Sequence, residues 1–319
     1  MIHPNGGGYF PGHQQIHQGE EKNLQEIFSE AESLLEKSNR SPDREALAEY
    51  AAHLDEMQDP AYHGLEKTGG VRTLTFSHSD NIAALKSIIG ASGNIVFFGG
   101  AGVSTESGIP DFRSAGGLFS ERVGRLSPEE ILSHTFFMNH TEEFYEFYRS
   151  KMIYRDAKPN DAHLALARLE RAGKLKAVIT QNIDGLHQLA GSREVLELHG
   201  SVHRNYCMNC NRFFGLDHVL AAEGVPTCDE CGGIVKPDVV LYEEALDMAI
   251  LEKSRRYIEQ ADVLIVAGTS LRVYPAAGLI QYFGGSHLVL INKSPTPYDH
   301  AATLVINGSI GETLNQALN

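Results

Sequence analysis

The chain has 319 residues, 42% of them apolar and 21% charged, with 31 glycines, 12 prolines, four cysteines and no tryptophan. That composition excludes collagen-like and wholly disordered chains and suits about two domains. Lysine and arginine number 27 against 41 acids, a net charge of -14, so direct nucleic-acid binding through phosphate neutralisation is not expected.

The first residues, Met1-Ile2-His3-Pro4-Asn5-Gly6-Gly7-Gly8, lack the basic start and apolar core of a signal peptide. No apolar run reaches the ~18 residues of a membrane span, which leads to the expectation of a soluble, cytoplasmic protein without a membrane partner. Residues 1–75 carry thirteen acids and six basic residues, half of the excess negative charge. The first ~19 residues hold too little apolar matter to pack and are expected to be disordered. Leu24, Ile27, Phe28, Ala31, Leu34 and Leu35 then follow helical spacing, and Ser41-Pro42 opens a second helix carrying Leu47, Tyr50, Ala51 and Leu54. The expectation for 1–75 is an acidic helical extension whose apolar stripe docks on the main body or on another subunit, the latter giving an oligomer.

From residue ~80 the pattern alternates. A helix is predicted over Asn81–Ile89, stopped by Gly90, and strands over Ile95–Phe98, Ala177–Thr180, Val195–Leu198, Val263–Ala267, Leu288–Ile291 and Leu304–Ile306. Helical spacing recurs at about 140–152, 160–172, 245–260 and 275–283. Short, uniformly apolar strands separated by helices predict an α/β fold, a doubly wound, Rossmann-like parallel sheet with helices on both faces.

The strand Ile95–Phe98 runs into Gly99-Gly100-Ala101-Gly102-Val103-Ser104, a glycine-rich turn before a predicted helix. Glycines there let backbone N–H groups approach a pyrophosphate. The ordinary dinucleotide fingerprint would have a third glycine where Thr105 stands and a strand-end acid ~20 residues on, so hydride transfer is disfavoured and a tight turn without a ligand stays open. Asn182 and Asp184 lie just past another strand end, as do Gly268-Thr269-Ser270 and Asn292, where ligands of open parallel sheets collect. Cys207, Cys210, Cys228 and Cys231 are spaced C-x2-C-x17-C-x2-C. Two such hooks at ribbon spacing point to one closed, structural zinc ion rather than to a redox pair.

The run Gly100-Ala101-Gly102-Val103-Ser104-Thr105-Glu106-Ser107-Gly108-Ile109-Pro110-Asp111-Phe112-Arg113-Ser114 resembles the signature of the sirtuins, NAD-dependent protein lysine deacylases. The resemblance continues in order through Thr180-Gln181-Asn182-Ile183-Asp184-Gly185-Leu186-His187, Leu198-His199-Gly200-Ser201, the cysteine pairs, Lys236-Pro237-Asp238-Val239-Val240-Leu241-Tyr242-Glu243-Glu244, Gly268-Thr269-Ser270-Leu271 and Ile291-Asn292-Lys293. It covers about residues 80–319 and leaves 1–75 aside. It implies a catalytic domain over 76–319, with a helical insertion at about 114–155 and a zinc module at about 203–237.

The resemblance further implies a reaction that consumes NAD: the acyl oxygen attacks the nicotinamide ribose, nicotinamide leaves, and a ribose hydroxyl completes the acyl transfer. Such a scheme needs a base that titrates near neutrality, and by resemblance His199 is that base, with Asn182 and Asp184 completing the catalytic set. Gly100, Ala101, Gly102, Ser104, Thr105, Asp111, Phe112, Arg113, Gln181, Ile183, Gly268, Thr269, Ser270, Asn292, Lys293 and Ile310 would join them in holding NAD. The acetylated lysine of a protein or peptide would lie along Val239, Val240, Leu241 and Tyr242; here Glu243 stands where the family has glycine. Family members that remove succinyl groups carry a Tyr-x-x-Arg pair, aligned with Tyr145 and Tyr148. With tyrosine in the arginine's place, acetyl-lysine is expected to be preferred to succinyl-lysine. ADP-ribosyl transfer or NAD hydrolysis on the same site, and a non-catalytic NAD-binding interaction module, are the competing expectations.

Overall fold

Strands with no polar break are buried on both faces, and the computed structural model, which describes residues 78–112, 117 and 126–319, builds its main sheet from such segments. The expected acidic hairpin, Arg113 and the first part of the insertion lie outside the described residues. In chain order the strands are β1 Ile95–Gly99, β2 Leu175–Thr180, β3 Val195–Glu197, β4 Gly200–Cys207, β5 Phe213–Phe214, β6 Val235–Val239, β7 Val263–Ala267, β8 His287–Asn292 and β9 Leu304–Asn307. Six form one sheet in the order β3-β2-β1-β7-β8-β9, and every neighbouring pair is parallel. The order reverses between β1 and β7, which opens a crevice beyond their carboxyl ends.

The helices are α1 His78–Ala91, α2 Pro128–Ile131, α3 His134–Asn139, α4 Thr141–Lys151, α5 Asp161–Arg171, α6 Leu186–Leu189, α7 Leu216–Ala221, α8 Met248–Gln260 and α9 Ile310–Leu318. Alternate strand residues face opposite layers. Ile95, Phe97, Val178, Ile265 and Ile291 pack under Leu85 and Ile89 of α1, Leu166 and Leu169 of α5 and Leu314 of α9. Val96, Phe98, Ile179, Leu264 and Val266 face Ile258 of α8 and Leu279 and Ile280. The last two lie in a 3₁₀ stretch, Ala276–Tyr282, where an ordinary helix is predicted from sequence. The glycine-rich turn also differs from expectation. It continues as two 3₁₀ turns, Ala101–Val103 and Thr105–Ser107, rather than as an α-helix, because Gly108 at φ 83° and Pro110 end the winding at once.

Two capping arrangements fix the site's supports. Asn160 caps α5 by accepting the N–H groups of Ala162 and His163, and its amide donates to the Val103 carbonyl (2.8 Å) and to Ser107 Oγ (3.0 Å). Glu106 accepts the N–H groups of Ile310 and Gly311 at the start of α9 (3.0 and 3.1 Å), satisfying donors that a helix leaves open.

The smaller module joins α2–α4 and α7 to the antiparallel sheet β5-β4-β6. Here the expectation for Tyr145 and Tyr148 is corrected: both are 0% exposed. Tyr148 stacks on Phe144 at 5.5 Å, and Tyr145 meets the edge of Phe144 at 5.4 Å. Tyr145 Oη donates to the Val235 carbonyl, and burial pushes both phenols above their ordinary range. Their face of α4 is the one that closes the module's core, so neither lines an acyl pocket. Arg149 lies over the Tyr145 ring, 5.2 Å from its centroid, with Nε donating to the Val219 carbonyl at 3.0 Å. Tyr148→Arg therefore places an unpaired cation in an aromatic core. It should destabilise the protein by ~3 kcal/mol or more, read as a lower urea midpoint; an unchanged midpoint would contradict this packing.

Candidate active site

At the carboxyl ends of β1 and β7, two backbone turns touch directly. Gly102 N–H donates to the Gly268 carbonyl at 2.8 Å. A Cβ on Gly102 would stand 2.6 Å from Gly268 Cα, and one on Gly268, at φ 62°, only 2.4 Å from Val103 N. Glycine is required on both sides of this contact. The result is one wall of a cleft of about 890 Å³.

The neighbouring loops supply polar groups held by one another. Gln181 N–H donates to the Gly99 carbonyl (2.9 Å), and its side-chain amide donates to Thr269 Oγ1 (3.1 Å). Ser104 Oγ donates to Asp184 Oδ2 at 2.6 Å and accepts from Asn182 Nδ2 at 3.0 Å. Asp184 Oδ1 accepts the Leu186 N–H at 2.9 Å, closing the first turn of α6. Asn292 Oδ1 accepts the Thr269 N–H at 3.1 Å, while its buried Nδ2 has no protein partner. Such an orphaned donor on a cleft wall fits a polar ligand.

His199 follows β3 and hydrogen-bonds through Nδ1 to the Gln181 carbonyl at 2.9 Å. A carbonyl only accepts, so Nδ1 carries the proton and Nε2 holds the free lone pair. Burial lowers the imidazole's pKa below its ordinary 6.5, against the opposing pull of that hydrogen bond. The neutral, proton-accepting form is thus the resting one at neutral pH.

The cleft gathers every described residue that the sequence nominates for NAD. From the first loop come Gly100, Ala101, Gly102, Ser104, Thr105, Asp111 and Phe112. From the β2 and β3 ends come Gln181, Asn182, Ile183, Asp184 and His199. The far half adds Gly268, Thr269, Ser270, Asn292, Lys293 and Ile310. Val239, Val240, Leu241 and Tyr242 line the same cleft, with Val240 N–H donating to the His199 carbonyl at 3.0 Å. Tyr145 and Tyr148 are absent from its walls. Lys151, Met152 and Tyr154, where α4 ends and the chain turns back, reach the cleft instead, as do Leu132 and Glu106. Helical spacing places 140–152 on one element but does not say that its last turn, rather than its middle, meets the ligand.

Glu243 adopts φ 74°, the left-handed conformation that glycine takes without strain. Its carboxylate accepts the Thr135 N–H in the first turn of α3 at 2.8 Å. Hydrogen bonding by the Thr135 side chain, and then by its N–H, lowers the pKa of Glu243.

The four cysteines gather at the far end of β4 and β6. Their sulfurs all lie within 4.8 Å of one another, with separations of 3.4 Å for Cys207–Cys231, 3.7 Å for Cys210–Cys228 and 3.5 Å for Cys210–Cys231. Four thiolates ~2.3 Å from a tetrahedral zinc stand ~3.8 Å apart. The donor set fits a structural zinc, with no position left for substrate.

Fold, cleft and thiolate cluster together define a nucleotide-binding α/β enzyme with a zinc module. The Sir2 family model matches residues 100–275. A Clostridium acetobutylicum NAD-dependent protein deacetylase is 63% identical over 241 residues, covering 75% of this chain and 98% of its own. A protein of the same description from Clostridium tetani is 66% identical, over 72% of this chain and 94% of its own. A solved Sir2–p53 peptide–NAD+ complex superposes with a TM-score of 0.65 at 39% identity, over 74% of this chain and 97% of that one. The chain belongs to the Sir2 family.

Two outcomes follow from the site's surroundings. Freshly prepared reduced protein should carry one zinc per chain by metal analysis, and Cys207→Ser should lower the melting temperature before it alters chemistry; full stability without metal would refute the assignment. Beneath the nucleotide loops, His163 and His187 are buried with ring centroids 4.7 Å apart. Burial lowers His163 to about 4 and, with His163 beside it, holds His187 well below 6.5. Between pH 6.5 and about 4 the unfolded chain binds more protons than the folded one, so stability should be full above 6.5 and fall as pH drops through that window. His163 alone should account for on the order of 3 kcal/mol across the whole window; urea unfolding at pH 7 and pH 4 checks it.

Proposed function

We propose that the protein is an NAD-dependent protein lysine deacetylase, converting acetyl-lysine, NAD and water to lysine, nicotinamide and O-acetyl-ADP-ribose. The observation that carries this is His199, with its Nδ1 proton committed to the Gln181 carbonyl and its Nε2 lone pair free. It stands in the same cleft as the glycine cradle and the Val239–Tyr242 segment. NAD, bound as co-substrate, supplies an electrophilic anomeric carbon that the acetyl oxygen attacks as nicotinamide departs.

The residues divide the work by position. Gly100, Gly102 and Gly268 offer backbone without side chains, so phosphates can approach N–H groups closely. Thr269, Ser270, Asn292, Lys293 and Ile310 hold the rest of the nucleotide, with Asn292 Nδ2 as an unused donor. Asp184, locked by Ser104 and the Leu186 N–H, and Ile183 and Phe112 hold the nicotinamide side. Asn182 orients the ribose and water, and His199 Nε2 takes the proton of the ribose hydroxyl as it attacks the acyl carbon. The Val239–Tyr242 segment lines the cleft beside His199, and the substrate chain would lie along it.

With Tyr148 in the core and Lys151 on the cleft wall, the Tyr145–Tyr148 pair does not set the acyl preference. Deacetylation rather than ADP-ribosyl transfer is preferred because the Val239–Tyr242 edge beside His199 gives a peptide its place. Four unbridged cysteines gathered as metal ligands suit a reducing compartment, consistent with the cytoplasm. No helix among the described residues is long and apolar enough to cross a membrane.

His199→Ala should lower kcat/KM on an acetyl-lysine peptide by ~10²–10⁴ while NAD affinity stays within about tenfold. Mass spectrometry of the products separates acetyl-ADP-ribose from ADP-ribosylated protein, and near-normal turnover would remove the base assignment. Because burial lowers the His199 pKa, the fall of kcat/KM on acidification should have its midpoint below pH 6.5. A midpoint at or above pH 7 would place the base elsewhere.

A further inference from the structure

One break in the β4–β6 ladder lies next to the site. Ser201 pairs with Asp238, yet the next paired residue of β4 is Asn205, opposite Pro237. Three residues, Val202, His203 and Arg204, thus stand out of register with no counterpart on β6. A bulge that large bends a strand and re-aims its side chains, and each of the three is committed to a different neighbour.

Val202 N–H donates to the Ile183 carbonyl at 3.0 Å. His203 Nε2 donates to the Asp184 carbonyl at 3.1 Å, and its ring lies so near Gly185 that a Cβ there would be 2.7 Å from His203 Cδ2. Arg204 reaches back over the strand, with Nη1 2.5 Å from Glu197 Oε2 and Nε 2.7 Å from Asp238 Oδ2. Glu197 is the last residue of β3 and 6% exposed, a buried carboxylate that needs its cation. Arg204 is the cation paired with it, and a planar guanidinium holds both carboxylates at once in a way that an ammonium does not.

The position of this fork matters more than its strength. Glu197 precedes His199 by two residues, and Asp238 precedes Val240, whose N–H donates to the His199 carbonyl. The Glu197–Arg204–Asp238 bridge therefore closes a loop around His199. It ties the end of the large sheet to the strand that leads into Val239–Tyr242, while Val202 and His203 tie the same bulge to the Ile183–Asp184 loop.

We propose that Arg204 is a positioning residue: it sets the distance between His199 and the Val239–Tyr242 segment, and so governs use of the acyl-peptide far more than binding of NAD. The inference rests on the deacetylase reading for its kinetic consequence, while the brace itself is testable without any activity. NAD affinity provides the contrast, because Gly100, Gly102, Gly268 and Asn292, which would hold most of the nucleotide, lie outside the braced loop.

The test uses the full chain with Arg204→Met, which keeps much of the side chain's length but removes both ion pairs. Expected is a fall of at least tenfold in kcat/KM for an acetyl-lysine peptide with the dissociation constant for NAD within twofold. Hydrogen–deuterium exchange should quicken together in 199–204 and 238–242. Arg204→Lys, which retains the charge without the fork, should recover part of the lost activity. The proposal is overturned if kcat/KM falls less than threefold, if NAD affinity weakens by the same factor as peptide turnover, or if the two segments keep their exchange rates. Should Arg204→Met fail to fold, Asp238→Asn, at a more exposed position, carries the same measurements with the same outcomes. Wild-type protein inert on every acetylated peptide would defeat the deacetylase reading alone, since the exchange experiment still decides whether the brace exists.

Discussion

The direct approach of two backbone turns, Gly102 against Gly268, is the constraint on which the site depends. Parallel strands β1 and β7 lie side by side, so their carboxyl ends deliver two loops to the same place, and ordinary side chains would hold those loops apart. With glycine on both sides, an N–H···O contact of 2.8 Å forms instead. Gln181 then bridges from the Gly99 carbonyl to Thr269, and Asn292 supports Thr269 from behind. A larger residue at either glycine would displace more than one contact, because Thr269 and Val103 each take part in a second bond.

Around that contact, polar groups are oriented chiefly by uncharged partners. Gln181 uses three groups: its N–H meets Gly99, its side chain meets Thr269, and its carbonyl selects the tautomer of His199. Asp184, one of the carboxylates on the cleft wall, is occupied on both oxygens. A site organised in this way has its donors and acceptors oriented by the protein's own groups.

Much of this was legible before any coordinates. Uniformly apolar runs such as Val263–Ala267 allow no reading except a doubly covered strand, and C-x2-C pairs at ribbon spacing narrow the metal to one geometry. The motifs ending β2 and β3 place Asn182 and His199 because strand ends are where ligands of such sheets gather. What failed has equally local causes. Residues 276–282 have helical spacing, but periodicity does not separate an α-helix from 3₁₀ winding. Tyr145 and Tyr148 match a family pocket pair by alignment alone, and the side of α4 they occupy is decided by packing against groups such as Val235 and Val239, which are remote in sequence. The Arg204 bridge left no sequence signal, since it depends on a three-residue slip in a ladder that no alternation pattern announces.

The strand order also bears on how the chain is made. Among the described strands β1 is the first to be synthesised, and it ends in the middle of the sheet with Ile95 beside both Leu175 and Val263. Its second neighbour is synthesised only after the entire zinc module. Until then one backbone edge of Ile95–Gly99, among the most apolar segments of the protein, has no native strand to pair with, a state prone to intermolecular pairing. The small module lies within the intervening chain, and its thiolate cluster needs nothing from β7. Metal capture there shortens the effective loop that must close before β1 and β7 meet. A domain whose chemistry needs no metal at the reacting atoms thereby gains from metal supply during synthesis, well before any substrate is encountered.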